Sequence, residues 1–445
     1  MRNFWPCLPL LLLPCVLTAS QGPGNGIKKQ RNEHGQEIYR DIPFKQEFAI
    51  QFPLTGKLTG RQMLGISTDR DGHVRILTDS GVLVPDNGSL FYPGSFVKDI
   101  SYPATASRNI VAIGTYHEQT LFLDSSQLFS NAWAGKFQIE HGMPAAKYFQ
   151  GGKDFEFLIS DGNALVHLDG RGVKRWSGTF NGLIQMRYHP SADRFLLVSR
   201  NSIAEYIPGK GIQVRYTGSG ITCATYSGVG DRIIVGTEDG YHAIPEERQA
   251  RKLPCKRIRC MEEIDGKLWL GTDMGVIRLE PGGKCAYFFG QRWIPGEQVS
   301  QLTAGPEGSV LVITDKGMSR LSTRTMTLEE KALFYEKQVR EKNIRYGMNC
   351  SSVRLIDGYS SAMTADQPSD NLWTAMYLVS QLYHFKVTGS KEARQNAYDA
   401  FEALERMHTV TGIKGLFGRS YERDRKYENK KVPGWQEKEL KTGSP

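Results

Sequence analysis

A two-strand pattern recurs seven times along the chain, and this internal period constrains the fold more than any single residue does. Each unit has an apolar strand, a Ser or Thr, a short polar turn and a second alternating strand, as in VRILTDSGVLV and KLWLGTDMGVIRL. The marker residues of the units are Thr78, Thr115, Ser160, Ser199, Thr237, Thr272 and Thr314. Their spacing of 35–45 residues is close to the period of propeller blades, and the alternation is typical of half-buried strands.

Glycines at two places in each clearer unit predict two hairpins. Asp71-Gly72, Asp265-Gly266 and Glu307-Gly308 precede the central strand. A second set follows the marker residue and comprises Gly81, Gly240, Gly275 and Gly317. Glycine supplies the positive φ that tight hairpin loops need. Two hairpins give four strands per unit, so we predict a mainly β protein with a seven-bladed β-propeller over residues 45–323.

The segment LWLGTDMGVIRL carries a family resemblance. It resembles the blades of two-component-regulator sensor propellers and of related YVTN or WD-like extracellular propellers. The resemblance spans about residues 45–323 and implies the fold, because one propeller fold serves many functions.

One turn also has the residue types of a calcium loop. Asp69-Arg70-Asp71-Gly72 offers two carboxylates, but the same turn recurs in other units with other residues, which favours a structural role. The nine histidines show no ligand spacing, so we predict no metal site and no cofactor.

The N-terminus has the pattern of an export signal. Arg2 precedes a short apolar run, and Thr18, Ala19 and Ser20 are small residues of the kind found at cleavage sites. We therefore predict a signal peptide over residues 1–20 and a secreted, extracellular protein; no later stretch is apolar enough for a membrane span. The net charge of +9 favours acidic partners, and export argues against nucleic acid.

Five cysteines follow the predicted signal peptide, and export permits disulfides. The candidates for pairing are Cys223, Cys255, Cys260 and Cys285; buried free thiols are the alternative. Cys223 and Cys260 precede their central strands by similar distances, so we expect them on the innermost strands of neighbouring blades. Asn87 and Asn349 begin Asn-x-Ser sequons and are candidate glycosylation sites.

The pattern changes from strands to helices after residue 322. Thr327 and Glu330 form a capping box, and we predict helices over residues 328–346, 370–386 and 390–408. The middle helix is apolar over most of its circumference, which is typical of a helix buried on several sides. We assign residues 324–411 to a helical segment and residues 412–445 to a charged tail.

The stretch from Asp370 to Met407 resembles the opening hairpins of six-hairpin glycosidase-like (α/α) toroids. That resemblance implies that Asp370, with Asp366 beside it, faces a catalytic cleft, where Trp373 and Tyr377 would contact a sugar ring. A structural role for Asp370 as a helix N-cap is the competing interpretation. Only three helices fit before Pro445, so we expect either an incomplete toroid or a small helical cap.

Two functions from different classes follow from these patterns. The first is a secreted binding or scaffold protein that engages acidic polysaccharide or extracellular matrix through the propeller. The alternative is a polysaccharide-processing enzyme whose helical catalytic domain is incomplete in this chain. A sensor ectodomain is a third interpretation, but a sensor should continue into a membrane span.

Overall fold

The computed structural model describes residues 27–31, 37–228, 232–245, 251–255, 257–280, 283–350, 352–355, 362–365 and 369–421. The predicted signal peptide, Asp366 and most of the predicted charged tail lie outside these ranges. The chain divides into two compact units, which are residues 1–46 with 325–336 and residues 47–324 with 337–445.

The larger unit contains seven antiparallel sheets that form a seven-bladed propeller, as the repeat predicts. We number the blades 1 to 7 along the chain. The first strand of each blade contacts the first strand of the next, and the first strand of blade 7 contacts that of blade 1. These seven innermost strands therefore make a closed ring around the central channel.

The strands of each blade follow one another along the chain. Blade 1 contains Met63–Thr68, Val74–Thr78, Gly81–Asp86 and Ser95–Lys98; blade 2 contains Ala112–Tyr116, Gln119–Leu123, Gln127–Ser130 and Ile139–Glu140. Blade 3 contains Tyr148–Gly151, Phe157–Ser160, Ala164–Leu168 and Lys174–Thr179; blade 4 contains Leu183–His189, Arg194–Ser199, Ser202–Ile207 and Gly211–Thr217. Blade 5 contains Ile221–Tyr226, Ile233–Thr237 and Gly240–Ile244; blade 6 contains Ile258–Ile264, Lys267–Thr272, Gly275–Leu279 and Cys285–Phe288.

Blade 7 combines the two ends of the propeller sequence. Its strands Val299–Ala304, Val310–Thr314 and Gly317–Met326 are joined at the outer edge by the N-terminal strand Phe44–Pro53. Beyond this strand the backbone N–H of Leu54 donates to the carbonyl of Lys316 at 2.9 Å. The ring is thus closed by chain segments more than 250 residues apart in sequence. The folding of the blades is therefore cooperative, because ring closure depends on a non-local contact.

The hydrophobic core lies between blades. Across the described part of the chain, seven clusters of buried apolar side chains each join two neighbouring blades. The cluster between blades 7 and 1 contains Phe52 from the closing strand, together with Ile76 and Ile313. Burying each such side chain contributes about 1.5–3 kcal/mol.

The marker Ser or Thr residues close the second hairpin of six blades. In blade 6 the Thr272 hydroxyl donates to the carbonyl of Gly275 at 2.9 Å and accepts the N–H of Met274 at 3.0 Å. The equivalent pairs of bonds involve Thr78, Ser160, Ser199, Thr237 and Thr314. The repeated hydroxyl is therefore a turn-stabilising group, and the predicted glycines Gly81, Gly240, Gly275 and Gly317 all have positive φ.

The marker residue predicted for the second unit, Thr115, was placed one strand too early. Thr115 lies on the innermost strand of blade 2 and contacts the hydroxyl of Ser67 in blade 1 at 2.9 Å. The turn position belongs to Asp124, whose carboxylate accepts the N–H groups of Ser126 and Gln127. An Asp can replace the Ser or Thr because its carboxylate also accepts N–H groups of the turn, although it cannot donate to a carbonyl as the hydroxyl does, so a search for hydroxyl residues missed it.

In the candidate calcium turn, the Asp69 carboxylate is engaged in local hydrogen bonds. Asp69 Oδ1 accepts the N–H groups of Asp71 and His73, and Oδ2 accepts from Arg75 at 2.8 Å. Asp169 makes the same three types of contact in blade 3, with Arg175 as the guanidinium. This recurrence supports a structural role for the turn.

Most of the helical structure in the described residues lies C-terminal to the propeller. A short helix, α1 (Ala104–Ser107), lies between the strands of blades 1 and 2, and α2 (Leu328–Lys342), α3 (Asp370–Thr388) and α4 (Lys391–Thr409) follow blade 7. Single 3-10 turns occupy Gly56–Leu58, Asn131–Trp133, Lys153–Phe155 and Pro306–Gly308. Two-stranded hairpins pair Ile27–Arg31 with Glu37–Asp41, Ile344–Arg345 with Met348–Asn349, and Ser352–Leu355 with Ala362–Ala365.

The helix signals are confirmed in part. Thr327 and Glu330 exchange the two bonds of the predicted capping box, and Gly389 ends α3 at φ 69°. The first predicted helix was too long, because α2 ends at Lys342 and the chain turns into a hairpin. In the sequence, Gly347 after Tyr346 marks that turn, and its φ is 81°.

Replacing Thr272 by Val tests the turn-stabilising role of the repeated hydroxyl. The change keeps the side-chain shape and leaves two buried backbone groups without this partner, so we expect unfolding to become easier by about 1–3 kcal/mol. Chemical denaturation measures the difference. Thr217→Val on the exposed outer strand of blade 4 is the matched control and should change stability by less than about 0.5 kcal/mol. Equal effects at both positions would contradict the role.

Candidate functional site

A cavity of about 690 Å³ lies where the innermost strands of blades 4, 5 and 6 end. These strand ends and the hairpin turns that follow them supply its walls. The side chains that carry its chemistry are Arg187, Tyr188, His189, Tyr226, Glu262 and Glu263. A concave site at the channel mouth of a propeller is the expected place for a ligand.

The local sequence explains why polar groups gather at this mouth. In blade 4, Leu183 and Met186 are buried in the core between blades 3 and 4. At the end of the same strand Tyr188 still packs against that core, whereas Arg187 and His189 are not part of it and line the cavity just before the turn. The equivalent strand ends of blades 5 and 6 lie beside this one, because the innermost strands contact one another around the ring.

Arg187 of blade 4 and Glu262 of blade 6 form an ion pair in the cavity lining. Arg187 Nη2 lies 2.5 Å from Glu262 Oε2 and also donates to the carbonyl of Met261 at 3.4 Å. Burial raises the pKa of Glu262 above its usual value, although the neighbouring guanidinium acts in the opposite direction. Arg187 Nε is buried and has no hydrogen-bond partner among the described residues.

Tyr226 of blade 5 is held in the cavity lining by a hydrogen bond and a ring contact. Its hydroxyl donates to Glu205 Oε1 at 3.0 Å, and the His189 ring meets its ring at right angles with centroids 4.6 Å apart. Glu205 is almost fully buried and is also bound by Arg194 Nε at 3.1 Å and Arg215 Nε at 2.5 Å. Burial and then the Glu205 charge raise the pKa of Tyr226, so the phenol stays protonated.

The remaining lining groups add donors and acceptors of both kinds. The Tyr188 hydroxyl donates to Asp193 Oδ1 at 2.8 Å, and Glu263 Oε2 accepts the N–H of Gly228 at 2.7 Å. His189 Nδ1 accepts the N–H of Ala192 at 3.3 Å, so the neutral ring carries its proton on Nε2. The arrangement can bind a polar ligand through mixed hydrogen bonds and aromatic contact.

None of the cavity residues was singled out as a site from the sequence. They lie 9–12 positions before the marker residues of blades 4 to 6, directly ahead of the first hairpin. Comparing that position across the units would have revealed consecutive polar or aromatic strand ends. Single residues such as His189 gave no signal, because their partners lie in other blades.

The predicted helical site residues occupy different environments. Asp370 is fully buried, and its carboxylate accepts the Ser420 hydroxyl at 3.0 Å. Tyr377 is also buried, whereas Trp373 is 41% exposed. Asp370 is the first residue of α3 and Ser369 is the N-cap, so the predicted cap position was one residue too late. The catalytic role of Asp370 with Asp366 stays a prediction, and Asp366 lies outside the described residues.

The four cysteines predicted as candidates for pairing form no disulfide in the part of the chain that the structure describes. Cys223, Cys255, Cys260 and Cys285 are free thiols there, which favours the alternative of unpaired thiols. Cys223 and Cys260 do lie on the innermost strands of blades 5 and 6, as predicted, and each follows a register shift opposite a glycine. Burial raises the pKa of Cys223 to about 12, so this thiol is unreactive at neutral pH.

The two sequons differ in accessibility. Asn87 is exposed and lies in the loop that follows the third strand of blade 1. Asn349 is half-buried, and its side-chain amide donates to the carbonyl of Trp373 at 3.4 Å. Glycosylation of either residue stays a prediction, and Asn87 is the better placed of the two.

Comparison with known proteins gives similarities of fold. No family model and no curated protein matches the chain. An extracellular domain assigned to a hybrid two component system of B. thetaiotaomicron aligns at 13% identity and TM-score 0.49, over 62% of this chain and 39% of that one. Streptogramin B lyase aligns at 12% identity and TM-score 0.47, over 62% and 98%. The Neurospora crassa Pan2 WD40 domain aligns at 12% identity and TM-score 0.42, over 63% and 95%.

This chain spans about two fifths of the length of that extracellular domain. The propeller assignment rests on the strand pairing described above. No helix among the described residues is long and apolar enough to cross a membrane.

Replacing Glu205 by Gln tests how Tyr226 is held. The change removes the buried charge that two guanidinium groups share, and we expect a loss of about 3 kcal/mol in the free energy of unfolding. Tyr226→Phe, which deletes one hydrogen bond, should cost about 1–2 kcal/mol. Glu140→Gln on an exposed strand is the control. A Glu205→Gln protein as stable as the control would contradict the proposal that the Glu205 charge holds Tyr226 in place.

The raised pKa of Glu262 predicts a pH dependence of stability. The folded state holds the proton more tightly than the unfolded state, so stability should fall as pH rises from the usual Glu value of 4.5 to the raised value. Glu262→Gln should flatten this part of the curve of unfolding free energy against pH. Ser227→Ala alters the cavity wall without removing a titratable group and should keep the slope. An unchanged slope in Glu262→Gln would contradict the assignment.

Proposed function

We propose that this protein is an exported binding protein whose propeller holds a polysaccharide-type ligand at the cavity of blades 4 to 6. The observation that carries the proposal is the convergence of Arg187, Glu262 and Tyr226 at one mouth of the channel. The export-signal pattern of residues 1–20 supports the extracellular placement.

The cavity chemistry favours the hydroxyl groups of a sugar. A sugar hydroxyl both donates and accepts, which matches carboxylates and a guanidinium placed in one cavity. The Tyr226 and His189 rings lie in the same wall and offer apolar surface to a sugar face.

The charge of the cavity narrows the ligand class. Arg187 is paired with Glu262, and Glu263 adds a further carboxylate, so the lining carries no excess of positive charge. This balance favours a neutral saccharide inside the cavity. Acidic polysaccharide or matrix, which the net charge of +9 suggested, would instead bind over the outer surface and be sensitive to salt.

The enzyme alternative has less support. Asp370 is fully buried, and its carboxylate accepts the Ser420 hydroxyl at the N-terminal end of α3. A glycosidase needs two carboxyl groups placed on either side of the scissile bond. We therefore favour binding, with the helical segment as an attached element.

A glycan array followed by calorimetry tests the proposal. We expect retention of neutral oligosaccharides, little changed between about 0.05 and 0.5 M salt. Arg187→Gln should weaken the best neutral hit by about tenfold or more, equivalent to about 1.4 kcal/mol. Ser191→Trp should block the mouth without removing an internal contact. Arg200→Ala, an exposed control outside the cavity, should bind normally.

Two outcomes would overturn the proposal. The first is retention of sulfated or uronic-acid polymers alone, lost at high salt and unaffected by either cavity variant. The second is binding of no glycan by a protein whose circular dichroism shows it to be folded.

A further inference from the structure

Helix α3 buries its polar side and exposes its apolar side. Asp370, Thr374, Tyr377 and Gln381 form the buried face, and Gln381 Oε1 accepts from Asn396 of α4 at 3.4 Å. This inverts the usual pattern of a surface helix, whose apolar stripe faces the core.

The exposed side forms an apolar stripe, which we define by its large, at least half-exposed residues. They are Leu372, Met376, Val379, Leu382, Tyr383 and Val387, with exposures of 50–82%. Apolar surface of this extent on one element marks an interaction site.

The spacing within the stripe matches a helix-pairing seam. Leu372, Met376, Val379 and Tyr383 follow one another at intervals of four, three and four residues. This is the a/d pattern along which two helices pack side by side. The seam is about 17 Å long at 1.5 Å per residue.

The seam from Leu372 to Tyr383 is also uncharged. No Asp, Glu, Lys or Arg occurs between Asn371 and Phe385. A surface without charge can face an identical surface without repulsion, whereas a charged one cannot.

Residues 422–445 match the stripe poorly, because half of them are charged and their large apolar residues are Tyr427, Val432, Trp435 and Leu440. The six stripe residues present an exposed area on the order of the 800 Å² that each partner contributes to a standard interface.

We propose that the α3 stripe binds the α3 stripe of a second copy of this chain in an antiparallel pair. A twofold axis then passes between Met376 and Val379, so that Met376 faces Val379 of the second copy. Leu372 faces Tyr383 of the second copy in the same way. An isologous contact of this kind uses the same seam on both copies and ends in a closed dimer.

Sedimentation equilibrium of the full chain tests the dimer. The wild type should show twice the chain mass, with dissociation on dilution. Val379→Glu should shift the protein to the monomer, because it places a charge in the apolar seam. Val214→Glu, at a 65% exposed position on the outer strand of blade 4, is the matched control and should remain dimeric.

A charge-swap pair tests the antiparallel register. Met376→Lys alone should also weaken the dimer, whereas Met376→Lys combined with Val379→Glu should restore association, because opposite charges then face each other across the axis. A parallel pair would place like charges together and would not be restored. Circular dichroism of each variant confirms that the helices remain folded.

Three results overturn the inference. The first is a wild type that stays monomeric at every concentration, including the case in which another polypeptide covers its stripe. The second is a Val379→Glu protein that dimerises as the wild type does. The third is a double variant that dimerises more weakly than either single variant.

Discussion

The pairing of the N-terminal strand Phe44–Pro53 with the last strand of blade 7 is the interaction on which the ring depends. Every other blade is built from consecutive hairpins, whose closure costs little loop entropy. Blade 7 alone joins distant segments, and Phe52 of the closing strand packs into the core between blades 7 and 1. Because each innermost strand is fixed by two neighbours, an open ring would loosen strands on the far side, including those that form the cavity.

The fold was predictable from the sequence because its main signal is repeated. The hydroxyl at Thr272 and its equivalents, and glycines such as Gly275, recur at one period because every blade makes the same turn. The second unit was misplaced because Asp124 makes that turn with a carboxylate. The error shows that a turn is specified by its hydrogen bonds, which more than one residue type can supply.

The candidate site was much less predictable. Arg187 and Glu262 are far apart in sequence and meet because the ring brings blades 4 and 6 to either side of blade 5. The rigidity of Tyr226 depends on Glu205, a residue that looks like an ordinary strand position until its burial is known. In the helical segment, the apolar character of α3 was evident from the sequence, but not that its polar side would face α4.

Hydrogen–deuterium exchange of the wild type and of Phe52→Ala tests most directly whether ring closure maintains the cavity. The substitution removes a buried ring from the closing strand and should cost about 3–5 kcal/mol. If closure orders the whole ring, protection of the strands Ile221–Tyr226 and Ile258–Ile264 should fall together with that of residues 47–53. Faster exchange confined to residues 47–53, with wild-type protection at the cavity strands, would contradict this account.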